Sequence, residues 1–135
     1  MSFNLVKPNQ NIVDVRLSYK HIAEEFCKYY YTLYDANFSL LASLYYPQSQ
    51  FTYQHIEVSG FDNLLNFVGY DTKFTHHNLN VAVQPIGHAN LMITVTGTIT
   101  MNDSIFQHRF VETLFIQKDD CNRLKVFGTV FKVIE

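Results

Sequence analysis

The residues of this sequence that could do chemistry are tyrosines, histidines and two carboxylates spread along the chain. In a buried cavity such groups acquire shifted pKa values and can act as general acids or bases. Glu112 stands out because it shares a predicted strand face with Phe110 and Leu114, and a carboxylate on an apolar stripe must be paired or lie at an edge. The candidates are Tyr30, Tyr34, Asp35, His55, His76, His77, His108 and Glu112.

The spacing of these candidates does not predict an active site. His76 and His77 begin a predicted strand, so their side chains point to opposite faces and cannot both line one cavity. No third ligand stands at a metal-binding spacing, and the sequence has no Gly-rich phosphate loop, Ser-His-Asp order or Cys-His pair. We therefore predict a protein that is not an enzyme and has no catalytic residue, metal or cofactor.

Composition limits the classes of protein that fit the chain. Its 135 residues suffice for one domain with one core, and 47% of them are hydrophobic. The net charge of −2, without a run of one sign, argues against direct nucleic-acid binding and against a polybasic membrane anchor. We see no signal peptide or membrane span and expect an intracellular protein. The 12 Phe and 9 Tyr exceed what a modest core needs, so we expect aromatic side chains at a pocket or interface.

The first half of the chain predicts helices. Residues 1–11 are polar and predict a flexible leader, whereas residues 12–135 predict a single domain. Asn37 is the expected cap of the second helix and Pro47 its expected end. Apolar steps of three and four predict helices at residues 12–35, 38–45 and 61–70, with a short strand at residues 50–54.

The second half of the chain predicts strands, because the apolar period changes to two from residue 74. Short turns between these strands predict an antiparallel meander, and helices that precede strands predict the α+β class. The predicted strands cover residues 75–84, 91–101, 106–117 and 124–134. The clearest strand alternates apolar side chains with four threonines, called here the threonine ladder: Thr94, Thr96, Thr98 and Thr100. This uncharged face tolerates water and also packs well against a second sheet.

Five segments, in order, resemble the nuclear transport factor 2-like family. The resemblance spans most of residues 12–134 and implies a cone-shaped, curved antiparallel sheet packed on three N-terminal helices, a cystatin-like roll. The segments are AEEFCKYYYTLYD, LLASLYYPQSQFTYQ, VSGFDNLLNF, TGTITMNDSIFQHRFVETLFI and LKVFGTVFKV.

The resemblance also implies a function. Family members are mostly adaptors: nuclear transport factor 2 is a homodimer that carries Ran-GDP and touches Phe-Gly nucleoporins, whereas messenger-RNA export cofactors pair with a homologous domain. We therefore expect a transport adaptor of the cytoplasm, nucleus and nuclear pore that forms a homodimer or heterodimer. The alternatives are a small-molecule binder or lyase/isomerase that uses the cone, and a stress-granule scaffold of the Rasputin type. An open cone lined by a paired His and carboxylate favours an enzyme, whereas a cone plugged by aromatic rings favours an adaptor.

Two sets of site residues follow from the resemblance. Paired sheets in the family use their outer face, which implies a dimer face formed by the threonine ladder together with Glu112. The peptide groove of the Rasputin domain, which would hold Phe-Gly-type motifs here, is matched by Phe26, Leu44 and Phe131. The alternative is that all three are ordinary core residues.

A third set matches the mouth of the family's cavity and the acidic positions that bind Ran. Gln54 and Asn102 are amides at these positions, and an amide replaces a carboxylate poorly in a contact with a cation. The set consists of Tyr53, Gln54, Asn102 and Asp103.

Overall fold

The computed structural model describes residues 12–87 and 89–134, and the predicted leader at residues 1–11 lies outside them. The described part contains two α-helices, a short 3-10 helix and six strands. In chain order they are α1 (Ile12–Ala36), the 3-10 helix (Phe38–Leu44), β1 (Tyr45–Tyr53), β2 (Ile56–Ser59), α2 (Phe61–Val68), β3 (Phe74–Ile86), β4 (Asn90–Met101), β5 (His108–Lys118) and β6 (Leu124–Val133). This order confirms the α+β class with three helices.

The strands form one curved, open sheet in the order β2-β1-β6-β5-β4-β3. Strands β3 to β6 pair antiparallel with their neighbours in sequence, which confirms the predicted meander. One pairing differs from the expected antiparallel sheet, because β1 lies parallel to β6. The helices before and after the β1–β2 hairpin allow β1 to enter the sheet in the same direction as β6.

The two ends of the 3-10 helix test the local sequence signals that predicted them. The Asn37 side chain accepts a hydrogen bond from the Ser39 N–H at 3.0 Å, which confirms the predicted cap. The prediction that Pro47 ends this helix is wrong, because the helix ends at Leu44 and Pro47 lies inside β1. Pro47 is tolerated there because the β1–β6 register shifts between Tyr45 and Gln50, which leaves it outside the parallel ladder.

Several strand assignments differ from their predictions. Strand β1 begins at Tyr45 instead of residue 50, and the apolar period did not predict β2, since its four residues are too few for a period to show. Strand β3 continues through Pro85, predicted to begin a turn, because an edge strand tolerates a missing N–H. Strand β5 begins at His108 and leaves Ile105 and Phe106 in an exposed loop.

The core lies between α1 and the concave face of the sheet, and aromatic rings fill much of it. The Tyr30 ring packs against Phe26 and Tyr34 with both centroid distances at 5.9 Å. The hydroxyl groups of Tyr30 and Tyr45 are hydrogen-bonded to each other inside this core. The largest fully buried side chains include Tyr30, Tyr34, Phe26, Phe51, Phe74 and Phe110.

Candidate functional site

The outer face of the sheet is formed by the threonine ladder and its neighbours. Ile93, Val95 and Ile99 of β4 are buried, whereas the four threonines that alternate with them are exposed or half-buried. The ladder therefore faces away from α1, as the alternation predicts. Its role as a dimer face stays a prediction.

Two neighbouring rows of uncharged residues cross this outer face. Each row runs through β3, β4, β5, β6 and β1 in register, and its members are apolar, Thr, Gln or Gly. One row is Ala82, Thr94, Thr113, Val130 and Thr52; the other is Gln84, Met92, Phe115, Gly128 and Gln50. Removing such rows from water carries no charge-desolvation cost.

Glu112 does not lie on the outer face, and the prediction that places it there is wrong. Its side chain is 3% exposed and accepts a hydrogen bond at 2.8 Å from the Tyr31 hydroxyl. The physical reason is strand alternation, since Glu112 shares its face with the buried Phe110 and Leu114. Burial raises the pKa of Glu112 to about 7, although the hydrogen bond from Tyr31 opposes the shift.

A second polar pair joins α1 to the first strand of the meander. The carboxylate of Asp35 lies 2.5 Å from His76 Nδ1, and the exposed His77 points the opposite way, as predicted. The His76 ring packs on Tyr34 at 4.5 Å, on Tyr31 at 4.8 Å and on Phe110 at 5.2 Å, measured between centroids. Its Nε2 is buried without a hydrogen-bond partner among the described residues. Aromatic rings therefore enclose the imidazole, whereas the Asp35 side chain stays 29% exposed.

A cavity of about 320 Å³ is lined by residues of β1, α2, β3, β4 and β6 and the turns beside them, and it is called here the mouth cavity. Tyr53, Gln54 and Asn102 line it, whereas Asp103 is exposed outside it. That these residues bind Ran stays a prediction. None of the cavity's described lining residues is an Asp, Glu or His. The full lining is Tyr53, Gln54, Phe67, Val68, Thr72, Phe74, Ile99, Met101, Asn102, Phe131 and Val133.

The two amides of the mouth cavity hold its rim in place. Gln54 Oε1 accepts a hydrogen bond from the Val133 N–H at 3.0 Å. Asn102 Oδ1 accepts one from the Lys73 N–H at 3.1 Å. Both residues have positive φ angles, 61° and 57°, so each also forms a turn beside the cavity. The amide oxygens are thus already used within the chain.

Among the described residues, the side chains predicted to form a peptide groove do not line an open surface. The prediction is wrong for Phe26 and Phe131. These side chains are 1% and 2% exposed, while Leu44 is half-buried. Phe26 stacks on Tyr30, and Phe131 stacks on Tyr53 with centroids 4.8 Å apart. Their apolar spacing reflects the core, and Phe131 lines the mouth cavity from within.

The remaining catalytic candidates do not gather into a site. Tyr34 is buried among rings, His55 is exposed, and His108 is half-buried at the start of β5. Within the described residues no three His, Cys, Asp or Glu side chains come together as a metal site.

Sequence reasoning missed a set of exposed apolar side chains around the mouth cavity. One of them, Phe106, was assigned to a strand, although it follows a turn signal at Asn102-Asp103-Ser104 that could have placed it in a loop. The set comprises Phe67, Tyr70, Met101, Ile105 and Phe106.

The fold agrees with a comparison with known families. The model of the nuclear transport factor 2 (NTF2) domain matches residues 22–133. The chain belongs to the nuclear transport factor 2 family. Nuclear transport factor 2 of Emericella nidulans is 24% identical over 119 residues, which cover 86% of this chain and 95% of that relative. Relatives that carry this name support a transport-related role.

Solved structures with the same fold include members of several functional classes. Nuclear transport factor 2 from Cryptosporidium parvum superposes with a TM-score of 0.70 at 20% identity, over 86% of this chain and 94% of that chain. A chain of the Candida albicans Mtr2–Mex67 M domain complex gives 0.72 at 16% identity, over 84% and 93%. The fold also serves enzymes, since a protein assigned as a scytalone dehydratase from Novosphingobium aromaticivorans gives 0.72 at 12% identity, over 91% and 89%.

The family members that this chain matches in sequence carry the name of a non-enzymatic protein. Of the helices that the structure describes, none has both the length and the apolarity needed to cross a bilayer.

Proposed function

We propose that the chain is a non-enzymatic nucleocytoplasmic transport adaptor. It pairs with a homologous domain through the outer face of its sheet and accepts a Phe side chain of a transport partner in the mouth cavity. The observation that carries this proposal is the pair of uncharged rows across five strands.

The outer face has the composition of an interface core. Val130, which lies between Thr113 and Thr52 in one row, is 43% exposed, and Phe127 beside the other row is also exposed. Exposed apolar side chains with no charge between them gain free energy when a second sheet covers them. A related fold solved as an Mtr2–Mex67 complex supports a protein partner for this chain.

Two basic residues favour a heterologous partner over a second copy. Lys132 pairs with Val111, and Arg109 lies two residues before Val111 on the same face of β5, so the two cations are diagonal neighbours. A two-fold axis along the strands between β5 and β6 would bring these two cations close to the same two cations of the second copy. Like charges so placed repel, whereas a homologous face with carboxylates would attract them.

The mouth cavity suits an aromatic side chain. A cavity of about 150 Å³ is enough to hold benzene, and the mouth cavity offers about 320 Å³. The stacked Tyr53 and Phe131 rings present aromatic surface inside it. Phe-Gly nucleoporins fit these properties. Ran-GDP fits less well, because the amides of Gln54 and Asn102 replace carboxylates.

The test measures binding of the full chain to three probes by isothermal titration calorimetry. The probes are a homologous export-receptor domain, a Phe-Gly nucleoporin fragment and Ran-GDP. We expect Val130→Arg to weaken binding of the receptor domain at least tenfold, because it places a charge in the uncharged rows. Leu40→Arg is the matched control, since Leu40 is a similarly exposed apolar residue of the 3-10 helix. A chain that binds none of the three probes, or a Val130→Arg variant that binds normally, would remove the proposal.

A further inference from the structure

The loop between β4 and β5 presents two apolar side chains to solvent. Ile105 is 89% exposed and Phe106 is 68% exposed, the highest values among the large apolar side chains described. Ser104 fixes the loop, because its N–H donates to the Met101 carbonyl at 3.2 Å and its Oγ accepts from the Phe106 N–H at 3.1 Å. The loop therefore holds an aromatic ring away from the body of the domain, where water surrounds it.

This loop lies at the same end of the molecule as the mouth cavity. Met101 and Asn102, which precede the loop, line the cavity. Phe67 and Tyr70, at the end of α2 and just after it, add exposed aromatic rings to the same rim. One surface thus combines a projecting aromatic ring with an apolar cavity large enough for such a ring.

The rim also carries one charge of each sign. Asn102 donates its N–H to the Lys73 carbonyl at 2.6 Å, and its side chain accepts from the Lys73 N–H. These bonds place Lys73 close to the exposed Asp103. A surface with a ring, a cavity, a cation and an anion carries both members of an apolar contact and of an ion pair, which is what a two-fold symmetric contact requires.

We propose that two copies of this chain associate mouth to mouth, each inserting Phe106 into the mouth cavity of the other. Lys73 of each copy faces Asp103 of its partner across the rim. The inference rests on the proposed role of the mouth cavity as an aromatic-binding site. When no transport partner is bound, the mouth cavity is occupied by Phe106 of the second copy. Self-association and binding of a Phe-bearing partner therefore exclude each other.

The contact is small, so the dimer is weak and forms with rising concentration. The chain has no Trp, which makes Phe106→Trp a single fluorescent reporter that keeps an aromatic ring at this position. The variant is made in a Val130→Arg background, where pairing through the outer face cannot contribute. Ile86→Trp in the same background is the control, because Ile86 is an exposed residue at the far end of β3.

We expect the Phe106→Trp emission to shift to shorter wavelength with rising protein concentration, while the Ile86→Trp emission stays constant. Sedimentation equilibrium should show that Phe106→Ser raises the dimer dissociation constant at least tenfold over the parent. Constant emission of the Phe106→Trp variant, or a dimer unaffected by Phe106→Ser, would overturn the inference. The calorimetric titration with the Phe-Gly fragment reports the proposed function separately, since Phe106→Ser leaves the cavity lining intact.

Discussion

The carboxylate of Asp35 contacts His76 at two points: one oxygen accepts the backbone N–H at 3.0 Å, and the other lies 2.5 Å from Nδ1. Asp35 belongs to the last turn of α1, and His76 to the edge strand β3. The pair therefore fastens the end of the long helix to the open edge of the sheet. Aromatic rings enclose the imidazole of this pair.

We expect Asp35→Ala to lower the free energy of unfolding by about 2–3 kcal/mol, because it leaves a backbone N–H and a buried imidazole nitrogen unpaired. Urea unfolding measures the loss. Asp71→Ala, at an exposed turn residue, is the control and should change stability by less than about 0.5 kcal/mol. Equal effects of the two substitutions would show that the Asp35 contacts contribute no stability in solution.

The buried Glu112 predicts a pH dependence of stability. Between its ordinary pKa of 4.5 and the folded pKa of about 7, the folded chain keeps a proton that the unfolded chain releases. The contribution of Glu112 to the free energy of unfolding is therefore fully present below pH 4.5. It falls as the pH rises to about 7 and is lost above that pH. The integrated loss is about 3 kcal/mol.

We expect Glu112→Gln to remove this slope, because Gln stays neutral while its oxygen still accepts the Tyr31 hydrogen bond. Urea unfolding at about pH 5, 6, 7 and 8 should show the variant gaining on the parent as the pH rises. Glu57→Gln, at an exposed carboxylate of β2, should follow the parent. Parallel curves for Glu112→Gln and the parent would contradict the buried, protonated carboxyl.

The hydroxyl pair of Tyr30 and Tyr45 predicts a strong coupling energy. Either single change to Phe leaves the other buried hydroxyl unpaired, which costs about 1–3 kcal/mol. The double variant removes both hydroxyls and should cost less than the sum of the singles by at least about 1 kcal/mol. Thermal or urea unfolding of the parent, the two single variants and the double variant gives a double-mutant cycle. Additive effects of the two substitutions would argue against the hydrogen bond between the two hydroxyl groups.

The glycine of β4 predicts a steric effect at the bulge of β3. A Cβ on Gly97 would lie 2.7 Å from the His77 carbonyl oxygen, because the β3 register shifts opposite this residue. We expect Gly97→Ala to destabilise the domain by about 1–3 kcal/mol through overpacking. Gly128→Ala in β6 is the matched control, since its Cβ would meet only ordinary contacts at 3.5 Å or more. The prediction is wrong if both variants unfold at the same urea concentration.

Local patterns in the sequence predicted most of the fold. The period of the apolar residues placed α1 and the four strands of the meander, and Asn37 marked its helix cap. The parallel β1–β6 pairing joins distant segments, and no local pattern reports such a pairing. The prediction from Pro47 was wrong because a proline fits a helix end and an irregular stretch of strand equally well.

The site was predicted less well than the fold, for a physical reason. Apolar spacing looks the same for a groove and for a core, so Phe26 and Phe131 could not be assigned before their burial was known. Glu112 carried its own signal, since its strand neighbours Phe110 and Leu114 are apolar, but the resemblance to paired sheets outweighed it. The Tyr31 partner lies 81 residues away and could not be inferred.

The parallel contact between β1 and β6 has a consequence for synthesis of the chain. Strand β1 emerges from the ribosome before strands β2 to β5, but its neighbour β6 is the last strand of the domain to appear. Until then the β2-β1 hairpin has no sheet to join, and its apolar surface stays exposed. Completion of the domain is thus delayed until β6 has been synthesised, and a nascent chain shorter by one strand would need protection from aggregation.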